Sequence, residues 1–220
     1  MTSKNCSALS VERKLLSVPV LLIVLVLGIP TLALAQDVVA RSAIQLHIDQ
    51  SVAYYTHGDL RHAIGELQVA QQLAPADPQV NFMLGNALYR YGDNTGAAAA
   101  YGKALAIKPD HFEAHMTRGF ALFETGDTEQ AVTEWRAAKK IEPREPFARA
   151  ALAVGLYALG RVDDAKVQYS GALALSQRYG KLDSLRVDIR WKAKALGLAG
   201  RVLELLHAEQ EASTDTAQVH

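Results

Sequence analysis

The chain is 220 residues long, half of them hydrophobic and 21% charged, which is too apolar for a disordered chain and enough for one domain behind a targeting segment. Basic and acidic residues balance at 23 each, so no surplus of positive charge points to nucleic acid. The single cysteine, Cys6, excludes a disulfide within the chain and a thiolate metal site.

Residues 1–35 read as an export signal. Lys4, Arg13 and Lys14 precede an apolar run from Leu15 to Leu27, interrupted by Ser17 and Pro19. Gly28 and Pro30 are expected to end any helix there, and Ala33 and Ala35 form the Ala-x-Ala ending that a signal peptidase accepts. Cleavage is expected between Ala35 and Gln36, which puts the mature protein in a periplasmic or secreted space. The alternative is an uncleaved anchor facing the periplasm, since Leu15 to Ala35 is long enough to span a bilayer. Cys6 precedes the apolar run, which argues against a lipid anchor. Without Lys4, Glu12, Arg13 and Lys14 the remainder carries about two more acidic than basic residues, so it has no polybasic grip on anionic lipid. Membrane contact is expected only if the segment stays attached.

From Ile44 onward a period of 34 governs the sequence. Glycines stand at 58, 92, 126 and 160. Alanines stand at 63, 97, 131 and 165, and again at 70, 104, 138 and 172. Leu73, Ile107, Ile141 and Leu175 keep the interval, as do Pro75, Pro109 and Pro143, with Gln177 in the fourth place. The units are 44–77, 78–111, 112–145 and 146–179, each with two helical stretches around its glycine. In the second, Phe82, Gly85, Leu88 and Tyr89 lie at helical spacing; Tyr91-Gly92-Asp93 makes the turn; Ala97, Tyr101, Ala104, Leu105 and Ile107 form the second stripe. Glycine ends the first helix, Asp59, Asp93 and Asp127 are placed to cap the second, and the prolines stop it.

The small columns predict close helix crossings. Ser51, Gly85, Gly119 and Ala153 form one on the first helices, and the two alanine series form it on the second. Leu67, Tyr101, Trp135 and Tyr169 then fill the space between neighbouring helices. No unit covers its apolar faces alone, so stacking has to bury a continuous core.

This pattern resembles the tetratricopeptide repeat (TPR) family: the period, and Gly85/Leu88/Ala97/Tyr101/Ala104/Pro109 with its echoes. The likeness covers four units, strongest in the second and third. Gln50 and Ser51 stand for the usual Leu-Gly in the first, and the fourth lacks the closing proline. The resemblance implies an all-α solenoid of four helix-turn-helix units over 36–180, a right-handed superhelix whose concave face is lined by first helices. Gln36 to Ala43 is expected to extend the first helix. Residues 181–207 read as a capping helix, long or broken, with Leu185, Ile189, Leu196, Leu203 and Leu206 near one stripe and Gly197 and Gly200 as kink points. Arg186, Asp188, Arg190, Lys192 and Lys194 would form its polar outer side, and 208–220 reads as a flexible tail.

Motifs for chemistry are sparse, and no catalytic role or cofactor is expected. Gly96 to Gly102-Lys103-Ala104 has the wrong spacing for a phosphate loop, lacks its Ser or Thr and falls inside a helix. His111, Glu113 and His115 place two imidazoles four apart, a spacing metals favour, but the Glu offset is wrong for a zinc protease and a solvated helix start explains them. Asp163 and Asp164 at a helix start complement its dipole.

The family geometry implies a concave groove lined by Ile48, Val52, Tyr55, Gln79, Phe82, Asn86, Tyr89, Glu113, Met116, Phe120, Phe123, Phe147, Val154 and Tyr157. The strongest candidates for partner binding are Tyr55, Phe82, Asn86, Tyr89, Met116, Phe120, Phe123, Phe147 and Tyr157, with roughly half the aromatics expected to pack between units instead. The charged clamp that some family members use on a C-terminal carboxylate is missing, its Lys and Asn positions being mainly apolar. The expected partner is therefore a peptide or protein offering an apolar or amphipathic segment. The function this implies is an exported scaffold or adaptor. A membrane-tethered assembly factor for an envelope complex, or a metal protein using His111 and His115, are the alternatives.

Overall fold

The computed structural model describes residues 19–187 and 191–218, with side chains over 36–186 and 191–212. The chain divides into a unit of residues 1–46 and a unit of residues 47–220. Helix α1, Pro19–Thr56, begins in the first and ends in the second. It runs through Gly28 and Pro30, where the sequence predicts a stop. A proline removes one backbone hydrogen bond, and the Leu-, Val- and Ala-rich flanks carry the helix across it. In the first unit the described side chains leave Val38, Val39 and Leu46 exposed, and Ser42 Oγ donates to the Val38 carbonyl at 2.8 Å. The side chains of 1–35 lie outside the described residues, and so does the expected cleavage signal. Among the described residues no helix is long and apolar enough to cross a membrane.

The second unit is built from helix pairs. The end of α1 pairs with α2, Leu60–Leu73; α3, Pro78–Tyr91, pairs with α4, Asn94–Ile107; α5, Phe112–Thr125, pairs with α6, Thr128–Ile141; α7, Pro146–Ala158, pairs with α8, Val162–Leu175. Each helix from α2 to α8 packs on the next. Gly58, Gly92, Gly126 and Gly160 all adopt positive φ, between 75° and 104°, so the four turns are equivalent bends that an L side chain would strain. The predicted caps form: Asp59, Asp93 and Asp127 accept from the amides of His62, Gly96 and Gln130. In the fourth unit Arg161 takes the Asp position and caps nothing, pairing with Asp164 instead.

All eight alanines of the two columns are fully buried, as is the Tyr101, Trp135 and Tyr169 series. A Cβ added at Gly85 would lie 2.5 Å from Tyr101 Cε1, and one at Gly119 would lie 2.7 Å from Trp135 Cδ1. In the second and third pairs the glycine on the first helix is thus the seat of the bulky residue on its partner. The bulky side chains also satisfy their polar tips: Tyr101 Oη donates to Asn86 Oδ1 at 2.7 Å, Trp135 Nε1 to the Met116 carbonyl at 3.2 Å, Tyr169 Oη to the Tyr179 carbonyl at 3.0 Å.

After α8 the chain makes a 3-10 turn, Gln177–Gly180, then α9, Leu182–Val187, and α10, Ala193–Gln218. α10 packs on α7 and α8 through Ala195, Ala199, Val202, Leu203 and Leu206. The break in this region lies before Ala193, and α10 passes through Gly197 and Gly200 without interruption. The helix also continues to Gln218, where a tail is expected from 208, because Ala208-Glu209-Gln210-Glu211-Ala212 are strong helix formers. Asp188, Ile189 and Arg190 lie outside the described residues.

Candidate functional site

The first helices α3, α5 and α7, with the end of α1, form one face of the helix pairs, here called the inner face. On its α1–α3 side it is open. Ser51, Val52, Tyr55, Leu67, Met83 and Asn86 line a cleft of about 130 Å³. Its rim is held by Arg90, whose guanidinium lies 4.6 Å over the Tyr55 ring and donates to the Tyr55 carbonyl at 3.3 Å. Asn86 is held by the Tyr101 hydroxyl, which leaves its amide N–H₂ free of that bond. Phe82, half-buried beside Tyr101, packs at 4.7 Å on His111.

Across α5 and α7 the face is covered, and by the chain itself. Phe120 and Phe147 stack at 5.6 Å, and the Trp191 ring sits against both, at 5.7 and 6.2 Å. Trp191 keeps 5% of its surface exposed. Lys192 Nζ stands 3.9 Å over the Tyr89 ring and donates to Asn94 Oδ1 at 3.2 Å. Lys194 Nζ stands 4.1 Å over the Phe123 ring and donates to the Phe123 carbonyl at 2.7 Å. The Tyr89 phenol is pushed above its usual range, first by burial and then by the nearby Glu124 carboxylate.

These repeating bends, buried small columns and a face lined by first helices match a known unit. The family model described as TPR repeat matches residues 85–126. Residues 85–126 match a tetratricopeptide repeat, and the chain has the tetratricopeptide-repeat fold. MamA from Desulfovibrio magneticus RS-1 has the same fold, with a TM-score of 0.60 at 20% identity over 76% of this chain and 96% of that one. YrrB, described as a TPR protein with an unusual peptide-binding site, gives 0.57 at 17% identity over 74% and 90%. The first TPR of Spaghetti, bound to an HSP90 peptide, gives 0.52 at 20% identity over 54% and 94%. No curated protein matches the sequence.

The TPR geometry sorts the sequence-derived candidates. Tyr55 and Asn86 belong to the open cleft, whereas Phe82 packs on Tyr101 and His111 outside its lining. Tyr89, Phe120, Phe123 and Phe147 meet Trp191, Lys192 and Lys194, and Tyr157 lines a separate cavity with Gly197, Arg201 and Leu205 of α10. Met116, Phe120, Phe123 and Val154 are buried in the core, so they are not open groove residues in this arrangement. The polar outer side expected of the cap also needs correction. Lys192 and Lys194 turn their ammonium groups onto Tyr89 and Phe123, because an aromatic face and a carbonyl in the last turn of a helix hold a cation well. Trp191 was readable only as one of two tryptophans, standing outside the repeat.

Sequence reading also missed a polar pair shared between alternate units. His47 Nδ1 lies 2.6 Å from Glu66 Oε2, and 68 residues on His115 Nδ1 lies 2.6 Å from Glu134 Oε2. Arg118 Nη1 donates to the other Glu134 oxygen at 2.6 Å, and His115 Nε2 reaches the Pro109 carbonyl at 2.9 Å. Two acceptors, one on each ring nitrogen, call for the imidazolium. The Glu134 carboxylate accordingly raises the His115 pKa, against burial and Arg118. His115 thus bridges α5 to α6 rather than facing His111, whose Nδ1 lies 3.0 Å from Glu113. Among the described residues no three His, Cys, Asp or Glu side chains gather to hold a metal.

Proposed function

We propose that this chain is an exported adaptor that holds an apolar or amphipathic segment of a peptide or protein along the inner face of its repeats. The observation that carries this reading is the open cleft of Val52, Tyr55, Leu67, Met83 and Asn86, an apolar lining with one amide group able to bond a peptide backbone. Supporting it, the fold is a protein-interaction scaffold, and the Spaghetti and YrrB structures are described as holding or having a site for a peptide. Export to a periplasmic or secreted space rests on Lys4, Arg13, Lys14, the apolar run and the Ala33-x-Ala35 ending.

A photo-crosslinking residue at Val52 or Met83, introduced in cells, tests the adaptor reading. We expect a discrete partner adduct that Tyr55→Ala with Asn86→Ala removes. No adduct, or one indifferent to those substitutions, counts against it. N-terminal sequencing of the mature protein tests export: a Gln36 start agrees with cleavage, and an intact Met1 start favours the tethered alternative.

A further inference from the structure

The occupied part of the inner face carries information about its ligand, because the structure shows an occupant. Three features define the fit. A stacked pair, Phe120 and Phe147, receives the flat ring of Trp191. One residue on, the Tyr89 ring and Asn94 Oδ1 receive the ammonium of Lys192. Two residues further, the Phe123 ring and carbonyl receive that of Lys194. An aromatic slot followed by two cation seats is a specific recognition pattern, since ring faces and carbonyl oxygens attract cations and offer nothing to carboxylates.

The fit is also incomplete. The indole N–H of Trp191 is buried and finds no acceptor among the described residues. Glu124 Oε1, one residue past Phe123, is buried without a donor among them. A buried N–H and a buried carboxylate oxygen left unpaired are costs that a ligand of better reach avoids. The tether compensates for this, holding the segment at an effective concentration of roughly millimolar without an optimal fit. Beyond the Lys192 seat, one helical turn back along α3 from Tyr89, Asn86 opens into the empty cleft, a contact the seated segment does not make.

We propose that the inner face of α3, α5 and α7 recognises an aromatic residue followed by lysine at the next and third positions, and that Trp191–Lys194 fills this site as a built-in competitor. The proposal rests on the inner face being the binding surface and names the chemistry of its partner: a basic segment led by an aromatic residue and running on along α3 into the cleft. Partner binding then requires displacement of residues 191–194, while α10 from Ala195 onward stays packed on α7 and α8.

The test uses the full chain and a fluorescent peptide with the sequence of residues 191–198, its affinity read by anisotropy. The wild-type protein should bind it at least tenfold more weakly than the Trp191→Ala/Lys192→Ala/Lys194→Ala variant, whose site is vacated. Phe120→Ala in that variant, or alanine for the tryptophan in the peptide, should abolish binding. The double variant Lys192→Ala/Lys194→Ala keeps the Trp191 packing and should bind with intermediate affinity, which decides the matter if the triple variant does not fold. Equal affinity of wild-type and vacated proteins, or no binding by any, overturns the proposal. So does sedimentation of the wild-type chain as a dimer that exchanges this segment. A partner adduct at Val52 or Met83 together with failure of the peptide leaves the adaptor reading standing and rejects this ligand chemistry; loss of both rejects the two together.

Discussion

A single methyl group added at Gly119 or at Gly65 should move stability in opposite directions. Gly119 is in the interior of α5 and Gly65 in the interior of α2. In either helix, alanine for glycine gains up to about 1 kcal/mol in helix propensity. At Gly65 nothing lies within 4 Å of the added Cβ, so the gain stands alone. At Gly119 the Cβ collides with the Trp135 indole, at 2.7 Å from Cδ1 and closer to Nε1. The indole has nowhere to go. It is fully buried, Phe120 and Phe123 pack on it at 5.1 and 5.7 Å, and its N–H is committed to the Met116 carbonyl. Overpacking of this kind costs about 1–3 kcal/mol, and losing the buried N–H bond adds about 1–3 more if the ring tilts. Gly119→Ala should therefore be destabilised by about 2–3 kcal/mol net, lowering Tm by roughly 4–12 °C for a chain of this size. Gly65→Ala should gain about 0.5–1 kcal/mol. Urea titrations followed by helix circular dichroism measure both. If Gly119→Ala is as stable as the wild type, or the two variants shift the same way, the reading of the small column as a seat for the bulky one is wrong.

The same packing predicts that Ala131→Phe, at a fully buried position of α6, forces the third helix pair apart and costs on the order of 1–3 kcal/mol or more; an unchanged thermal melt would refute it. His115→Gln should destabilise most at pH below 6.5. The raised folded pKa means the pair with Glu134 contributes fully while both folded and unfolded states are protonated, and is lost as pH climbs from 6.5 through the folded value. Urea midpoints of wild type and variant should therefore converge as pH is raised through the folded value, and a gap independent of pH would show that the charge of His115 is not what stabilises.

What was legible in the sequence follows the repeat. A position whose neighbour is fixed by the 34-residue period, such as Ala97, Ala131, Gly85 or Trp135, has the same surroundings in every unit, so its burial can be read from the column. The Asp59, Asp93 and Asp127 caps are local and equally readable. The His47–Glu66 and His115–Glu134 pairs were present as a period of two units, which an every-unit search passes over: Asn81 and Ala100 interrupt it. The inner face obeys no such rule. Whether Phe123 or Tyr55 is open depends on what lies over it: Phe123 is covered by Lys194, outside any repeat, whereas Tyr55 lines the cleft beneath Arg90.

That covering segment and the capping helix arise from one structural need. The fourth unit has no successor among the described repeats, so α7 and α8 have an apolar side that needs a cover. α10 supplies the missing surface with Val202, Leu203 and Leu206. Within a regular array the next helix would follow a proline-terminated link, but Gln177 replaces that proline and the chain instead turns through Gln177–Gly180 and α9 before α10 begins at Ala193. Trp191, Lys192 and Lys194 therefore lie at the start of the capping helix and on the inner face at once. Capping is carried by the α10 residues buried from Ala195 to Leu206, whereas occupation of the face is carried by three side chains at its leading edge. Because different residues do the two jobs, the face can be vacated while the end of the solenoid stays closed.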